Sequence, residues 1–295
     1  SCPPSLFIDT TRNLRILGVA HKLGHVLMGE NDRRINLLER SIQHALATAK
    51  YIIFHGETSH TCDVRGRTAH EGTFNPNDGA FRSRATQQGY SPFSTWTRGL
   101  AWAMLGFAEQ LEYLATLDGE ELELPSEMTL PTVLDEYRRC ARQTCDHYLH
   151  DCSTADGLVY WDDGAPQLHR LGDWRNSPAD PCNDFEPVDA SAAAIAAQGL
   201  IRLGNHLGAS DGTQYKQAGL TIAKTLLDSP YLSNDENHQG LLLHSIYHWP
   251  KRWDYVPPGA KVAHGESSLW GDYHLLELAL LIQSEAKDEP YPTFF

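Results

Sequence analysis

The sequence has few basic residues and no long apolar segment. Its 24 lysine and arginine residues are outnumbered by 38 aspartate and glutamate residues, which gives a net charge of −14. This balance argues against nucleic acid and anionic membranes as partners, because a phosphate surface requires a local surplus of cationic side chains. The longest apolar runs, residues 190–203 and 275–282, are too short or too interrupted to cross a bilayer. We therefore expect a soluble protein; no export signal is present, and the cellular location stays open.

Cysteine is also sparse. Six cysteines without a C-x-x-C pair are few for a disulfide scaffold of 295 residues. We interpret them as mainly free or buried thiols, with one or two disulfides as the alternative. The oligomeric state is not readable from the sequence.

Signatures of metal and nucleophile catalysis are missing as well. The histidine pairs His21/His25 and His244/His248 have a four-residue spacing but lack the acid of an H-E-x-x-H motif. There is no G-x-S-x-G elbow, no S-x-x-K with its partners and no glycine-rich phosphate loop. We therefore expect neither a metal nor a cofactor, and acyl and phosphoryl transfer are disfavoured.

Helical periodicity is what the sequence does contain, whereas strand-like alternation is scarce. Apolar residues recur at three- and four-residue steps from Arg34 to Ile52, and Gly56 follows as a stop signal. Residues 97–117 carry two stripes of side chains, which predicts a helix buried on two sides. Further helices are predicted over residues 10–28, 130–149, 189–207, 213–227 and 268–283.

Long connections rich in glycine, proline and aromatic residues separate these helices, at residues 56–96, 154–188 and 228–267. Helix pairs joined in this way fit an all-α barrel of helical hairpins whose loops build the site at one end. No linker divides the chain, so residues 1–295 are expected to form one domain. A barrel of six hairpins needs about twelve helices. We therefore expect the N-terminal part of the barrel to be missing from these residues.

Five blocks of sequence resemble one known family and keep its order. Residues 88–102, Gln-Gly-Tyr followed by Trp-Thr-Arg-Gly-Leu-Ala-Trp, resemble the Q-G-Y-(x)-W-x-R-G-x-A-W segment of the unsaturated glucuronyl hydrolases, glycoside hydrolase family 88. The other four resemble I-D-x-x-x-N-L (residues 8–14), G-x-x-Y-W-D (157–162), D-S-S-A-A-A-I-A-A (189–197) and W-G-D-Y (270–273).

The resemblance implies a six-hairpin (α/α)6 barrel and an unusual glycosidase reaction. The substrate is an oligosaccharide made by a polysaccharide lyase, with a C4=C5 double bond in its terminal unsaturated glucuronyl residue. The enzyme hydrates this bond, the resulting hemiketal opens, and the next sugar is expelled. One carboxyl group can protonate C4 and then take a proton from the water that attacks C5.

By this resemblance Asp9 is the general acid and base, and the alternative is that Asp9 caps the helix that follows. A carboxyl group in this role needs a pKa above its ordinary range, which burial and a nearby carboxylate provide. Arg98 and Trp102 lie one turn apart, so that the guanidinium is expected to meet the uronate carboxylate while the indole stacks on the sugar. Gln88 and His70 are expected to donate hydrogen bonds to the substrate.

The sequence departs from the family pattern in three respects. A second aspartate, expected in a segment before the I-D-x-x-x-N-L block, is absent from these residues. The loop from His55 to His70 is longer than in the family, and Leu100 stands where glutamine is usual. Two alternatives follow: an unsaturated rhamnogalacturonyl hydrolase of pectin fragments, or a carbohydrate-binding barrel without turnover.

Overall fold

The computed structural model describes residues 4–29, 32–117 and 128–295. Cys2 lies outside these residues. The helices are α1 Thr10–Asn13, α2 Arg15–Lys22, α3 Leu37–Tyr51, α4 Thr97–Leu114, α5 Leu130–His147, α6 Ala190–Asp211, α7 Thr213–Leu226 and α8 Leu269–Ala286. The strands are β1 Ser5–Phe7, β2 Leu27–Met28, β3 Arg34–Ile35, β4 Glu71–Phe74 and β5 Phe81–Ala85.

The predicted helical class is confirmed, and six of the seven predicted helices are found within a few residues of their predicted ends. The helix predicted over residues 10–28 is wrong. The chain forms the two short helices α1 and α2 there and then the strand β2. Gly24, at φ +77°, takes the left-handed conformation that ends a helix, and extended backbone follows it.

Helices α4 and α6 form the centre of the molecule. Every residue of α4 except Trp102 and Glu112 is buried, as the two stripes predicted. Residues 190–204 of α6 are all buried, and their small side chains let α6 approach α4 closely. A Cβ atom on Gly199 would lie 2.8 Å from the backbone nitrogen of Leu105, so only glycine fits at this crossing.

A three-stranded antiparallel sheet has the order β1-β4-β5, and its strands β4 and β5 lie in the predicted connection 56–96. Sequence periodicity missed these strands because they are only three to five residues long. The pairing of β1 with β4 matters for the site. The amide of Ile8 donates to the carbonyl of His70 over 3.0 Å, which brings the residue after β1 beside the residue before β4.

Helix α8 carries an uncovered apolar stripe. Its members are exposed by about half or more of their surface and recur at the spacing of one helix face: Leu269, Tyr273, Leu276 and Leu280. The expectation of a single domain that lacks the first part of a barrel stays a prediction. Within the described residues the five cysteines are free thiols, and none of the helices there is long and apolar enough to cross a membrane.

Candidate active site

A cavity of about 170 Å³ gathers four of the five predicted site residues. Asp9 follows β1, Gln88 follows β5, and Arg98 and Trp102 lie on one face of α4. The cavity is lined by Asp9, Gln88, Trp96, Arg98, Trp102, Tyr247 and Trp270. Two larger cavities of about 520 and 760 Å³ lie along α2 and the C-terminal phenylalanines. Of these three cavities in the described part of the chain, we assign the smallest, because it combines a carboxylate, an amide and three tryptophan rings.

Asp9 stands directly before α1, yet its carboxylate makes no capping hydrogen bond. Interpreting Asp9 as a helix cap is therefore wrong for this structure. The side chain keeps 33% of its surface exposed, and its Oδ2 atom lies 3.4 Å from Nε2 of His70. The carboxylate is thus available to a ligand in the cavity and has one neighbouring imidazole.

His70 is buried directly behind Asp9, and backbone amides hold its ring in place. The amides of Gln87 and Gln88 donate to Nδ1 over 2.9 and 3.2 Å. Because Nδ1 accepts both bonds, the proton of the neutral ring must be on Nε2, the atom that faces Asp9. The edge of the ring also meets Trp96, at 4.8 Å between centroids.

Arg98 is buried at the floor of the cavity and has several partners. Its Nη1 donates to Oδ2 of Asp189 over 2.8 Å and also to the carbonyl of Ile246. Its Nη2 donates to Oε1 of Gln88 over 3.1 Å and to the carbonyl of Tyr247 over 2.8 Å. The positive charge is therefore already paired with Asp189. The predicted contact of Arg98 with a uronate carboxylate stays a prediction.

Aromatic rings surround the guanidinium and form the walls of the cavity. Trp96 and Trp270 lie on the guanidinium, with their ring centroids 4.8 and 5.0 Å from its carbon. Trp102 is one of the two half-buried residues of α4, and its indole makes an edge contact with His274 at 5.1 Å between ring centroids. Trp102 lines both this cavity and the neighbouring cavity of about 520 Å³.

Sequence reasoning gave no site role to Asp189, Trp270 or Tyr247. Asp189 and Trp270 belong to two of the blocks that resemble the family, so the sequence contained a signal that could have marked them as site residues. Asp189 does cap α6, since its Oδ1 accepts from the amides of Ser191 and Ala192. Its second role, the ion pair with Arg98, depends on a contact across 91 residues that no local pattern shows.

The other cationic side chains that could have met an anionic substrate do not line this cavity. Arg84 stacks on Phe54 at 4.0 Å, and Lys261 pairs with Asp184 over 2.6 Å at the surface. Arg82, Lys251 and Arg252 also lie outside its lining. Arg98 is the one cation among the residues that line the cavity.

One cluster of potential metal ligands is found in the described part of the chain, away from this cavity. Ligand atoms of His147, Cys152 and Asp163 lie within 4.8 Å of one another. The imidazole already has partners, however, with Nδ1 at 3.0 Å from Asp151 and Nε2 at 3.1 Å from Thr95. Both ring nitrogens of His147 are thus engaged by neighbouring side chains.

Comparison with known proteins supports the resemblance seen in the sequence. The chain is 28% identical over 245 residues to an unsaturated glucuronyl hydrolase of Bacillus sp. (strain GL1). It is 26% identical over 280 residues to an unsaturated chondroitin disaccharide hydrolase of Streptococcus agalactiae. These alignments cover 81% and 92% of the chain but 50% and 54% of the relatives. The chain thus spans about half the length of the curated relatives it matches. No family model matches the chain.

Among solved structures, the unsaturated glucuronyl hydrolase of Bacillus sp. GL1, described as responsible for the degradation of glycosaminoglycan, superposes with a TM-score of 0.65. The match has 24% identity and covers 95% of this chain and 59% of that structure. This confirms the predicted all-α barrel fold over the matched part. The resemblance to the unsaturated glucuronyl hydrolases, stated from five sequence blocks, is likewise confirmed.

Proposed function

We propose that the protein is a glycoside hydrolase that hydrates the C4=C5 double bond of an unsaturated glucuronyl residue at the non-reducing end of an oligosaccharide. The observation that carries the proposal is the position of Asp9. Its carboxylate makes no capping bond, opens into the aromatic cavity and lies 3.4 Å from a ring nitrogen of His70. Curated relatives named for this activity support the assignment.

In the proposed reaction Asp9 acts first as an acid and then as a base. Its carboxyl proton is transferred to C4, and positive charge develops at C5 beside the ring oxygen. The resulting carboxylate then takes a proton from the water that bonds to C5. The hemiketal opens to a keto acid, and the bond to the next sugar breaks. The Nε2–H of His70, 3.4 Å from Oδ2 of Asp9, stabilises the negative charge that develops on Asp9 as its proton passes to C4.

Gln88 is proposed to hold the substrate through its amide group. Because Arg98 donates to Oε1 of Gln88, the amide nitrogen is left free to donate toward the cavity. Trp102 is proposed to stack on the sugar ring. The positive charge of Arg98, although paired with Asp189, favours the uronate carboxylate over a neutral group at this end of the cavity.

The proposed partners are unsaturated uronic acid oligosaccharides, and the ultraviolet band of the double bond provides the assay. Purified protein is incubated with lyase-generated disaccharides from chondroitin, heparin, gellan-type and pectin polymers. Loss of the band with at least one glucuronyl substrate supports the proposal, and loss with rhamnogalacturonyl substrates alone would favour the pectin alternative. Oligosaccharide binding by calorimetry without any loss of the band would favour a binding barrel.

A further inference from the structure

Residues 88–96, here named the 88–96 loop, carry two walls of the cavity without being part of a helix or an extended strand. Gln88 and Trp96 at its two ends both line the cavity. Regular hydrogen-bond ladders do not fix the loop, apart from one bridge between Trp96 and Asp162. Its position must therefore come from other contacts.

Two consecutive carboxylates supply two of these contacts, one near each end of the loop, and the hydroxyl of Thr86 supplies a third by accepting from the amide of Gly89 over 2.9 Å. Oδ2 of Asp162 accepts from the amide of Tyr90 over 2.7 Å. Oδ1 of Asp163 accepts from the amide of Thr95 over 2.6 Å. Asp163 is itself fixed by His147, whose Nε2 lies 3.3 Å from its Oδ2.

Asp162 is fully buried, and among the described residues no lysine, arginine or histidine forms an ion pair with it. Its other oxygen, Oδ1, accepts from the amide of Gly164 over 2.9 Å. Burying a carboxylate that is paired only with neutral donors is costly in free energy. Gly89 leaves it no spare room, since a Cβ atom there would lie 3.1 Å from Oδ2.

The Tyr90 amide is two residues from Gln88, and the backbone of Gln88 contacts the candidate catalytic machinery. The amide of Gln88 donates to Nδ1 of His70, and this bond helps to keep the proton of His70 on Nε2, toward Asp9. A short chain of contacts thus leads from Asp162 through the loop to His70 and Asp9. Asp162 itself does not line the cavity.

We propose that Asp162 is a positioning residue for the reaction: its bond to the Tyr90 amide holds the Gln88 amide against His70 and so keeps the Nε2–H of His70 directed at Asp9. This inference rests on the proposed function for its kinetic consequence. Its structural consequence, the tautomer of His70, does not depend on the activity. The two can therefore be tested separately.

The test compares the unmodified protein with Asp162→Asn, which keeps the shape of the side chain but replaces one acceptor oxygen with a donor. Nitrogen NMR of the imidazole rings is expected to show His70 of the unmodified protein as the Nε2–H tautomer. In the variant we expect a mixture of tautomers, and kcat/KM on the best disaccharide is expected to fall about 10- to 100-fold.

Two further variants make the outcome specific. Gly89→Ala displaces the 88–96 loop without removing the charge of Asp162. We expect it to produce both the mixture of His70 tautomers and the lower kcat/KM. Asp63→Asn removes a carboxylate that accepts from the amides of Gly56 and Thr58 in a distant loop. It is expected to change neither the tautomer of His70 nor the kinetics.

An unchanged tautomer and unchanged kcat/KM in folded Asp162→Asn protein, accompanied only by a lower melting temperature, would overturn the inference and leave Asp162 a purely structural residue. Should Asp162→Asn not fold, Gly89→Ala decides by the same two measurements. If the unmodified protein consumes no unsaturated substrate, the proposed function fails, and the tautomer comparison still decides the role of Asp162.

Discussion

Nε2 of His70 and Oδ2 of Asp9 lie 3.4 Å apart, and two backbone amides at Nδ1 determine which of the two ring nitrogens carries the proton. This relationship follows from the fold, because the pairing of β1 with β4 brings the two residues together. It places the Nε2 side of the imidazole beside the carboxylate of Asp9.

Substituting Asp9 by Asn should strongly slow the chemical step while leaving the fold intact. The amide cannot deliver a proton to C4, so we expect kcat on unsaturated disaccharides to fall about 100- to 10,000-fold. Because the Asp9 side chain makes no capping bond and is one third exposed, the melting temperature should stay nearly unchanged. The rate of loss of the ultraviolet band and a thermal melt provide the two measurements.

The matched control is Asp156→Asn, which changes a loop carboxylate that accepts from Thr154 and does not line the cavity. It should retain kcat. An Asp9→Asn protein with undiminished turnover would refute the assignment of Asp9.

Two substitutions of His70 should separate its two contacts. In His70→Asn the amide oxygen can replace Nδ1 as the acceptor for the Gln87 and Gln88 amides, but the group facing Asp9 is lost. We expect lower kcat with little loss of stability. In His70→Gln a donor still reaches Asp9, but the two amides lose their acceptor, which should lower the free energy of unfolding by about 1–3 kcal/mol.

Kinetics and urea unfolding measured on both proteins test this separation. Equal losses of activity and stability in the two variants would contradict it.

The sequence predicted the helices well and the site only in part, for a physical reason. The repeat of apolar residues in α4 is a local signal, so the helix and the shared face of Arg98 and Trp102 were both predictable. The pairing of Arg98 with Asp189 was not, because it depends on how α4 packs against α6. The orientation of the His70 ring likewise depends on amides 17 and 18 residues away, which periodicity does not report.

Asp189 should contribute strongly to stability through its ion pair with Arg98. Both side chains are buried, so Asp189→Ala leaves an uncompensated charge and should lower the free energy of unfolding by about 3–5 kcal/mol, as measured in urea. Part of this loss comes from the cap of α6. Ser268→Ala removes the corresponding cap of α8 alone and should cost only about 1 kcal/mol.

A double variant, Arg98→Met with Asp189→Ala, tests the pairing itself. It should lose less stability than the sum of the two single variants, because neither charge is left unpaired. Additive losses would show that the ion pair contributes little.

Asp162 should make the activity sensitive to pH near neutrality. Burial, with a smaller contribution from the charge of Asp163, raises the pKa of Asp162 from 3.8 to about 7, although the amides of Tyr90 and Gly164 and the hydroxyl of Ser94 oppose the shift. Above pH 7 the carboxylate accepts from both amides. Below pH 7 it carries a proton and one of these bonds weakens, so kcat/KM should fall as the pH decreases through about 7.

The free energy of unfolding should change with pH in the direction opposite to kcat/KM. An effect of Asp162 on positioning can therefore be distinguished from an effect on stability. Because the pKa of Asp162 is higher in the folded than in the unfolded state, the folded state binds more protons between pH 3.8 and 7. The contribution of Asp162 to the free energy of unfolding therefore increases as the pH falls through this window. Asp162→Asn should lack both trends. The test is to measure kcat/KM and the urea midpoint of both proteins from pH 5.5 to 8.5. As the pH falls, the unmodified protein should lose kcat/KM but gain in urea midpoint relative to Asp162→Asn. If the kcat/KM profiles of the two proteins run parallel throughout, a positioning role that depends on the charge of Asp162 is excluded.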